Sequence, residues 1–205
     1  MVERIVTLLR HWRDVRTSLG TLSRAWGGDS TIDMVGGLSP EEIEGLISWL
    51  PEKGVFVEVG TLFGLTAKAL AAAKPGLKVV AVDNFSWNPF GLPPQAHEAF
   101  TRRILDQEIR RGQIEILNTS SEQYRNSTGV PGISMESRPD AIFFDAQHQY
   151  EPVKAEIEWA KGIGIPLISG HDYGNPNPRF GVTRAVNETF GAEAIETVGM
   201  CWRSV

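Results

Sequence analysis

The sequence predicts an α/β protein built on a doubly wound, mostly parallel seven-stranded sheet, with an antiparallel closing strand and an N-terminal helical extension. From residue 51 onward, short apolar runs alternate with stretches of helical periodicity. The apolar runs are nearly continuous, which is typical of parallel strands covered by helices on both faces. The chain of 205 residues is 41% hydrophobic and 22% charged, a balance that excludes wholesale disorder.

The first 50 residues predict a helical extension rather than a second domain. Apolar residues recur at three- and four-residue steps over residues 2–19, which indicates a helix. Residues 20–38 are rich in Gly, Ser and Thr and predict a loop or lid. Because so short a stretch buries little apolar area alone, we expect residues 1–50 to serve as a lid or as a contact between copies in a homo-oligomer. Residues 51–205 then form the main domain.

The end of this extension carries a clear helix start. Ser39 can cap the helix, Pro40 suits its first position, and Glu42 completes a capping box. The apolar periodicity continues to Leu50, and Pro51 ends the helix.

From residue 51 the strands and helices follow in alternation. The strands are predicted at 55–59, 78–83, 114–117, 141–145 and 165–169, the helices at 65–73, 95–111, 152–160 and 182–190, and a closing antiparallel pair at 195–198 and 200–204.

Composition excludes several classes of function. The net charge of −5 argues against a broad nucleic-acid-binding surface. No apolar run reaches the roughly 18 residues that a membrane span needs, and the first ten residues lack the apolar core of a signal peptide. The single cysteine, Cys201, excludes an internal disulfide and a multi-cysteine zinc site. We therefore expect a cytoplasmic protein that binds neither nucleic acid nor membrane.

A glycine-containing turn after the first strand predicts a nucleotide-like ligand. Gly60 and Gly64 let the backbone turn sharply and approach a ligand closely. Asp83 ends the second strand, where an acid can accept two hydrogen bonds from a ribose diol. Leu62 occupies the place of the second glycine in the dinucleotide fingerprint, which disfavours a dehydrogenase. No phosphate-binding loop of the nucleoside triphosphatases is present either.

Three motifs together resemble class I S-adenosylmethionine-dependent methyltransferases, which have a Rossmann-like fold. They are Glu58-x-Gly60-x-x-x-Gly64-x-Thr66 followed by Val82-Asp83, then Asp145-Ala-Gln-His148-Gln-Tyr150-Glu151, and finally Gly170-His171-Asp172-Tyr173. The last two are similar to motifs of the sugar and macrolide O-methyltransferases related to macrocin methyltransferase. The resemblance covers about residues 51–205 and implies methyl transfer from S-adenosylmethionine to a small-molecule hydroxyl.

The resemblance also implies a set of cofactor-binding residues. Glu58, Gly60, Thr61 and Gly64 would surround the methionine half of S-adenosylmethionine, Asp83 would hold the ribose, Asn84 or Phe85 would touch ribose or adenine, Thr119 and Ser120 would reach the adenine edge, and Asp145 would lie beside the methionine end.

Metal-dependent members of this group hold a divalent ion after the fourth and fifth strands, where this chain has Asp145, His171 and Asp172. The two carboxylates suit Mg²⁺, which prefers oxygen ligands. His171 departs from the usual pair of oxygen ligands, and an imidazole would shift the preference toward Mn²⁺, Fe²⁺ or Zn²⁺. The alternative for His171 is a hydrogen-bonded histidine outside the ligand set.

The expected general base also departs from the family pattern. Gln147 stands where the sugar branch has an acid, and its amide cannot take a proton. His148 follows it, and a neutral imidazole can serve as the base. The alternatives are that His148 only positions substrate or cofactor, or that the chain is a methyltransferase-like binding or regulatory module without a base.

The segment after the second strand is rich in aromatic residues and proline. It either lines a substrate pocket or forms a rigid surface loop. Its members are Trp87, Asn88, Pro89, Phe90, Pro93, Pro94 and His97.

Overall fold

The computed structural model describes residues 37–87, 92–127 and 138–205, together with Gly20, Ser23, Arg24 and Gly27. The described residues therefore exclude the helix predicted at 2–19, nearly all of the loop predicted at 20–38, and residues 88–91. Among the described helices, none combines the length and the apolar character that crossing a bilayer requires.

The described strands and helices alternate along the chain as predicted. The strands are β1 (Lys53–Val59), β2 (Gly76–Asp83), β3 (Ile114–Asn118), β4 (Ala141–Phe144), β5 (Leu167–Gly170), β6 (Ile195–Val198) and β7 (Cys201–Ser204). The helices are α1 (Pro40–Trp49), α2 (Leu65–Ala73), α3 (Pro94–Ile104), α4 (Asp106–Arg110), α5 (Ser121–Asn126), α6 (Tyr150–Gly162) and α7 (Val182–Phe190), with a 3-10 turn at Ala192–Ala194 before β6.

The strands form one seven-stranded sheet in the order β3-β2-β1-β4-β5-β7-β6. Neighbouring strands from β3 through β5 are parallel, whereas β7 runs antiparallel to both β5 and β6. The predicted fold class is thus confirmed, including the antiparallel closing strand. Strand order reverses between β1 and β4, and in open α/β sheets ligands bind outside the carboxyl ends of the strands at such a point.

Each face of the sheet packs on its own set of helices. Side chains alternate between the faces along a strand, so β1 sends Phe56 to one face and Val57 to the other. The first face buries residues of α1, α2 and α3, and the second buries residues of α6 and α7. Apolar residues on both faces explain the nearly continuous apolar runs in the sequence.

The capping box predicted for α1 is present. The Ser39 hydroxyl accepts from the Glu42 backbone N–H, and the Glu42 carboxylate accepts from the Ser39 backbone N–H at 2.9 Å. The helix ends at Trp49, just before Leu50 and Pro51.

Two elements differ from the prediction. The single helix expected at 95–111 is wrong, because the helix is interrupted at Leu105. The fully buried Leu105 side chain packs where a Cβ on Gly64 would meet it at 2.6 Å. The short helix α5 was not predicted, although Ser120 and Gln123 form a capping box that marks its start.

Candidate functional site

The carboxyl ends of β1 and β4 meet at the point where strand order reverses. Gly60 follows β1 with a φ of +95°, and a Cβ placed there would lie 2.4 Å from the carbonyl oxygen of Asp145. Only glycine satisfies both the left-handed backbone and this close approach. The loop after β1 therefore passes directly against the loop after β4.

A cavity opens beside this contact. One wall is formed by residues of the loop after β1 and by Asp145, and another by residues at the start of α1. Its lining includes Glu58, Gly60, Thr61, Thr66, Asp145, Leu38 and Ile43. The end of the N-terminal extension thus contributes to the wall of the predicted cofactor site.

Glu58 lies at the end of β1, buried beneath this cavity. Its side chain accepts a hydrogen bond from the Thr61 hydroxyl. Burial raises the pKa of Glu58 to about 8, and the nearby charges of Asp145 and Asp83 add to the effect. A cationic ligand in the cavity would favour the ionised form of Glu58.

Asp83 is held by backbone groups from two loops. Its Oδ2 accepts from the Leu62 N–H at 2.9 Å, and its Oδ1 accepts from the Phe85 N–H at 2.6 Å. Leu62 and Phe85 both adopt the left-handed conformation, with φ of +49° and +56°. Each carboxylate oxygen keeps a further lone pair, so Asp83 can still accept hydrogen bonds from a ribose diol.

The other residues predicted to contact the ribose and adenine lie nearby. They differ in exposure and in which of their groups remain free to bind a ligand. Asn84 is exposed, and its side chain accepts from the Ser86 N–H. The Phe85 side chain is fully buried, which leaves only its backbone for a ligand. Thr119 donates its backbone N–H to the Asp83 carbonyl at 3.1 Å, and the Ser120 hydroxyl caps α5.

The loops after β4 and β5 bring together Asp145, His148 and Asp172. Each of the three offers a ligand atom, and these atoms lie within 4.8 Å of one another. His148 Nδ1 lies 2.8 Å from Asp172 Oδ2, and the His148 ring stacks on Phe180 with 4.5 Å between centroids. The hydrogen bond to Asp172 raises the pKa of His148 above its ordinary value. Asp172 itself has a φ of +64° and accepts from the Asn175 amide at 2.6 Å.

His171 lies between this group and the N-terminal extension, with its Nδ1 3.8 Å from Asp172 Oδ1. Its Nε2 lies 3.2 Å from Glu42 Oε1, and its Nδ1 lies 3.6 Å from Asp145 Oδ1. Burial alone would lower the pKa of His171, but the surrounding carboxylates outweigh burial and raise it to about 9. A protonated imidazole cannot bind a metal, because a ligating histidine must be neutral.

Glu42 was predicted only as a helix cap, yet it also reaches the site. It is buried, and its Oε1 accepts from the Met200 N–H at 2.8 Å while facing His171. Glu42, His171 and Cys201 form a second group of ligand atoms within 4.8 Å of one another. The capping box already explained an acid at this position, so the sequence offered no separate signal for the second role.

Residues of the aromatic segment after β2 differ in their exposure to solvent. Trp87 is 56% exposed, whereas His97 is fully buried in α3. His97 therefore fits neither of the two alternatives left open for this segment, a substrate pocket or a surface loop, because its ring packs between Phe63 and Phe85 in the core.

Solved structures similar to this chain include methyltransferases. TomG of Streptomyces achromogenes, an O-methyltransferase involved in tomaymycin synthesis and solved with S-adenosylmethionine, is 17% identical with a TM-score of 0.61 over 90% of this chain and 88% of its own. Cofactor-bound Rv0187 from MTB is 18% identical, with a TM-score of 0.58 over 92% and 89%. The methyltransferase PaMTH1 of Podospora anserina, bound to S-adenosylhomocysteine, is 12% identical with a TM-score of 0.58 over 89% and 85%. At these identities the likeness shows a shared fold.

No curated protein sequence matches the chain. A family model described as a methyltransferase domain, however, matches residues 57–166, more than half of the chain. This stretch begins within β1 and continues past α6, so it contains the Gly60 turn, Asp83 and the Asp145 loop. The resemblance to class I S-adenosylmethionine-dependent methyltransferases is confirmed, and the chain belongs to the methyltransferase domain family.

Proposed function

We propose that this protein transfers the methyl group of S-adenosylmethionine to a hydroxyl of a small molecule in the cytoplasm. One observation carries the proposal. The His148–Asp172 pair converges on Asp145, and Asp145 lines the same cavity as Glu58 and Gly60. A base and a predicted cofactor site therefore meet at one edge of the sheet, as methyl transfer to a hydroxyl requires.

The cofactor site is assigned to the loops after β1 and β2. The missing side chain at Gly60 lets the loop after β4 pass directly against it, and Glu58, Gly60 and Thr61 border the same cavity. Asp83 offers free lone pairs to the ribose. When bound, S-adenosylmethionine supplies an activated methyl group, whose bond to sulfur breaks as a bond to the acceptor oxygen forms.

His148 is the proposed general base. The carboxylate of Asp172 can only accept, so the neutral imidazole is assigned its proton on Nδ1, where it donates to Asp172. Nε2 then carries the lone pair that takes the hydroxyl proton. Stacking on Phe180 and the bond to Asp172 hold the ring in one orientation. The intact pair disfavours the interpretation of the chain as a binding module without a base.

We also propose that a divalent ion, Mg²⁺ or Mn²⁺, assists the reaction. Two carboxylates near one another, one of which lines the cavity, fit such an ion, so Asp145 and Asp172 would hold it. His171, which faces Glu42 and Asp145, would join them only as the neutral imidazole. A bound ion would lower the pKa of an acceptor hydroxyl beside it.

The test is methyl transfer from S-adenosylmethionine carrying a labelled methyl group. The acceptors are sugars, polyketides and phenols, each tested with chelator, Mg²⁺ or Mn²⁺. We expect a labelled methyl ether from at least one acceptor class, more product with metal than with chelator, and loss of product in Asp172→Ala. Glu158→Gln, an exposed change on α6, is the control. Full turnover in chelator would remove the ion from the proposal, and binding of S-adenosylhomocysteine without transfer to any hydroxyl would contradict the O-methyltransferase assignment.

A further inference from the structure

We propose that His97 is a positioning residue for cofactor binding, which holds the loops after β1 and β2 in the conformation that presents Asp83. The proposal rests on the proposed function, because it places the ribose of the cofactor at Asp83. His97 itself is fully buried and acts through the backbone of these loops.

The two loops are held in a conformation that their residues do not prefer. Within the part of the chain that the structure describes, the non-glycine residues with positive φ are Leu62, Phe85 and Asp172. Left-handed backbone is unfavourable for branched or bulky side chains and persists only where the surroundings enforce it. Leu62 and Phe85 are the two residues whose N–H groups hold the Asp83 carboxylate.

The peptide groups on both sides of Leu62 are fixed. On one side its N–H donates to Asp83, and on the other its carbonyl oxygen accepts from the Thr101 hydroxyl at 2.8 Å. His97 Nε2 lies 3.1 Å from the same carbonyl oxygen, and a carbonyl only accepts, so Nε2 is the donor. Helix α3 thus supplies two donors that keep Leu62 in its left-handed conformation.

The ring of His97 also contacts the second loop. Its centroid lies 5.2 Å from that of Phe85 and 4.4 Å from that of Phe63. Burial lowers the pKa of His97, against the opposing influence of Asp83 and of the Leu62 and Phe85 backbone. His97 is therefore assigned as the neutral imidazole.

Core packing alone does not account for a histidine here. Nδ1 of His97 is buried and makes no hydrogen bond of ordinary geometry within the described residues, although the Phe85 backbone lies close enough to influence the pKa of the ring. A buried unpaired nitrogen is unfavourable, and an apolar side chain would fill the same space without it. The feature that an apolar residue would lack is the Nε2–H donor to Leu62, and this donor acts on the loop that holds Asp83.

The experiment compares two amides that differ in reach. The side-chain nitrogen of Gln extends about as far as Nε2 of histidine, whereas that of Asn extends only about as far as Nδ1. The affinity for S-adenosylhomocysteine is measured by calorimetry in the wild type, His97→Gln, His97→Asn and His97→Leu. We expect His97→Asn and His97→Leu to weaken binding roughly tenfold, which is about 1.4 kcal/mol. We expect His97→Gln to stay within about threefold of the wild type, because it keeps a donor to Leu62.

A double-mutant cycle tests whether His97 acts through Asp83. If it does, Asp83→Ala with His97→Leu binds no more weakly than Asp83→Ala alone. Ile157→Val, a core change on the opposite face of the sheet, controls for lost stability and is expected to leave affinity unchanged. Equal affinities of His97→Asn, His97→Gln and the wild type would overturn the proposal, as would a full tenfold loss in the Asp83→Ala background. If the wild type itself did not bind S-adenosylhomocysteine, the proposed function would fail instead.

Discussion

The two halves of the site are built from different interactions. At the cofactor end, Asp83 is held by backbone N–H groups from Leu62 and Phe85. At the other end, Asp145, His148, His171 and Asp172 contact one another through charged or titratable side chains. A backbone cradle is rigid before the ligand arrives, whereas a cluster of charges changes with every proton or ion that enters it. We therefore expect that cofactor binding and chemistry can be altered separately.

The largest effect on cofactor affinity is expected where the two halves of the site are in contact. Gly60→Ala would place a Cβ 2.4 Å from the Asp145 carbonyl oxygen at a φ of +95°. The loops after β1 and β4 must then separate, so we expect the affinity for S-adenosylhomocysteine to fall by more than about 100-fold, a difference of about 2.7 kcal/mol in binding free energy. Calorimetric titration measures the change.

Gly112→Ala is the matched control for this variant. Gly112 has a φ of +71°, and nothing lies within 4 Å of an added Cβ. It therefore introduces backbone strain of about 1 kcal/mol without a clash, and affinity should be unchanged. Similar binding losses in both variants would show that strain, rather than the contact between the halves, determines affinity.

The next effect separates chemistry from binding. His148→Ala removes the proposed base, and we expect turnover to fall roughly 10²–10⁴-fold while the affinity for S-adenosylhomocysteine stays within about threefold. Labelled methyl transfer and calorimetry on the same preparation give both quantities. Ordinary turnover in this variant would overturn the assignment of His148 and leave the methyltransferase fold intact.

A smaller effect, on the free energy of unfolding, is expected at Glu58, whose pKa is raised by burial and also by Asp145 of one half and Asp83 of the other. Because its folded pKa of about 8 lies above the ordinary value of 4.5, folding favours the protonated carboxyl. The stability that this group contributes is complete below pH 4.5 and is lost as the pH rises through 8. Glu58→Gln should therefore gain stability relative to the ligand-free wild type between pH 6 and 9, on the order of 3 kcal/mol.

Denaturant unfolding at each pH measures this difference. The exposed Glu44→Gln on α1 serves as the control and should follow the wild type across the range. If Glu58→Gln and the wild type lost stability in parallel, the titration would belong to another group.

The smallest effect on cofactor binding is expected from removing residues 1–36. The described wall of the cavity begins at Gly37 and includes Leu38, both of which remain. Affinity for S-adenosylhomocysteine should stay within about threefold, because the cofactor contacts are assigned to later residues. The acceptor KM should rise or the oligomeric state should change, as expected for a lid or a contact between copies. Full activity with an unchanged oligomer, measured by kinetics and light scattering, would contradict that role.

Periodicity and strand ends predicted most of the fold. The helices Leu65–Ala73 and Val182–Phe190 have the bounds that the sequence indicated, because their apolar spacing and flanking glycines are local signals. The interruption at Leu105 was missed because it depends on packing against Gly64, which lies in a distant loop.

Within the site, the sequence indicated where polar residues gather but not which of them pair. His171 and Asp172 are adjacent in sequence, yet His171 faces Glu42 while Asp172 faces His148. Asp172 adopts a left-handed φ of +64°, and no local pattern announced this conformation in a non-glycine residue. Contacts over long sequence separations, such as Glu42 with Met200, have no signal in a single sequence.

A crystal structure of the protein with S-adenosylhomocysteine tests the division of the site most directly. We expect ribose hydroxyls within hydrogen-bond distance of the Asp83 carboxylate, with Leu62 and Phe85 still left-handed. We also expect the ligand sulfur to face the cleft between Asp145 and His148. A ligand bound with its ribose away from Asp83, or with its sulfur directed away from His148, would contradict this division of the site into a cofactor end and a catalytic end.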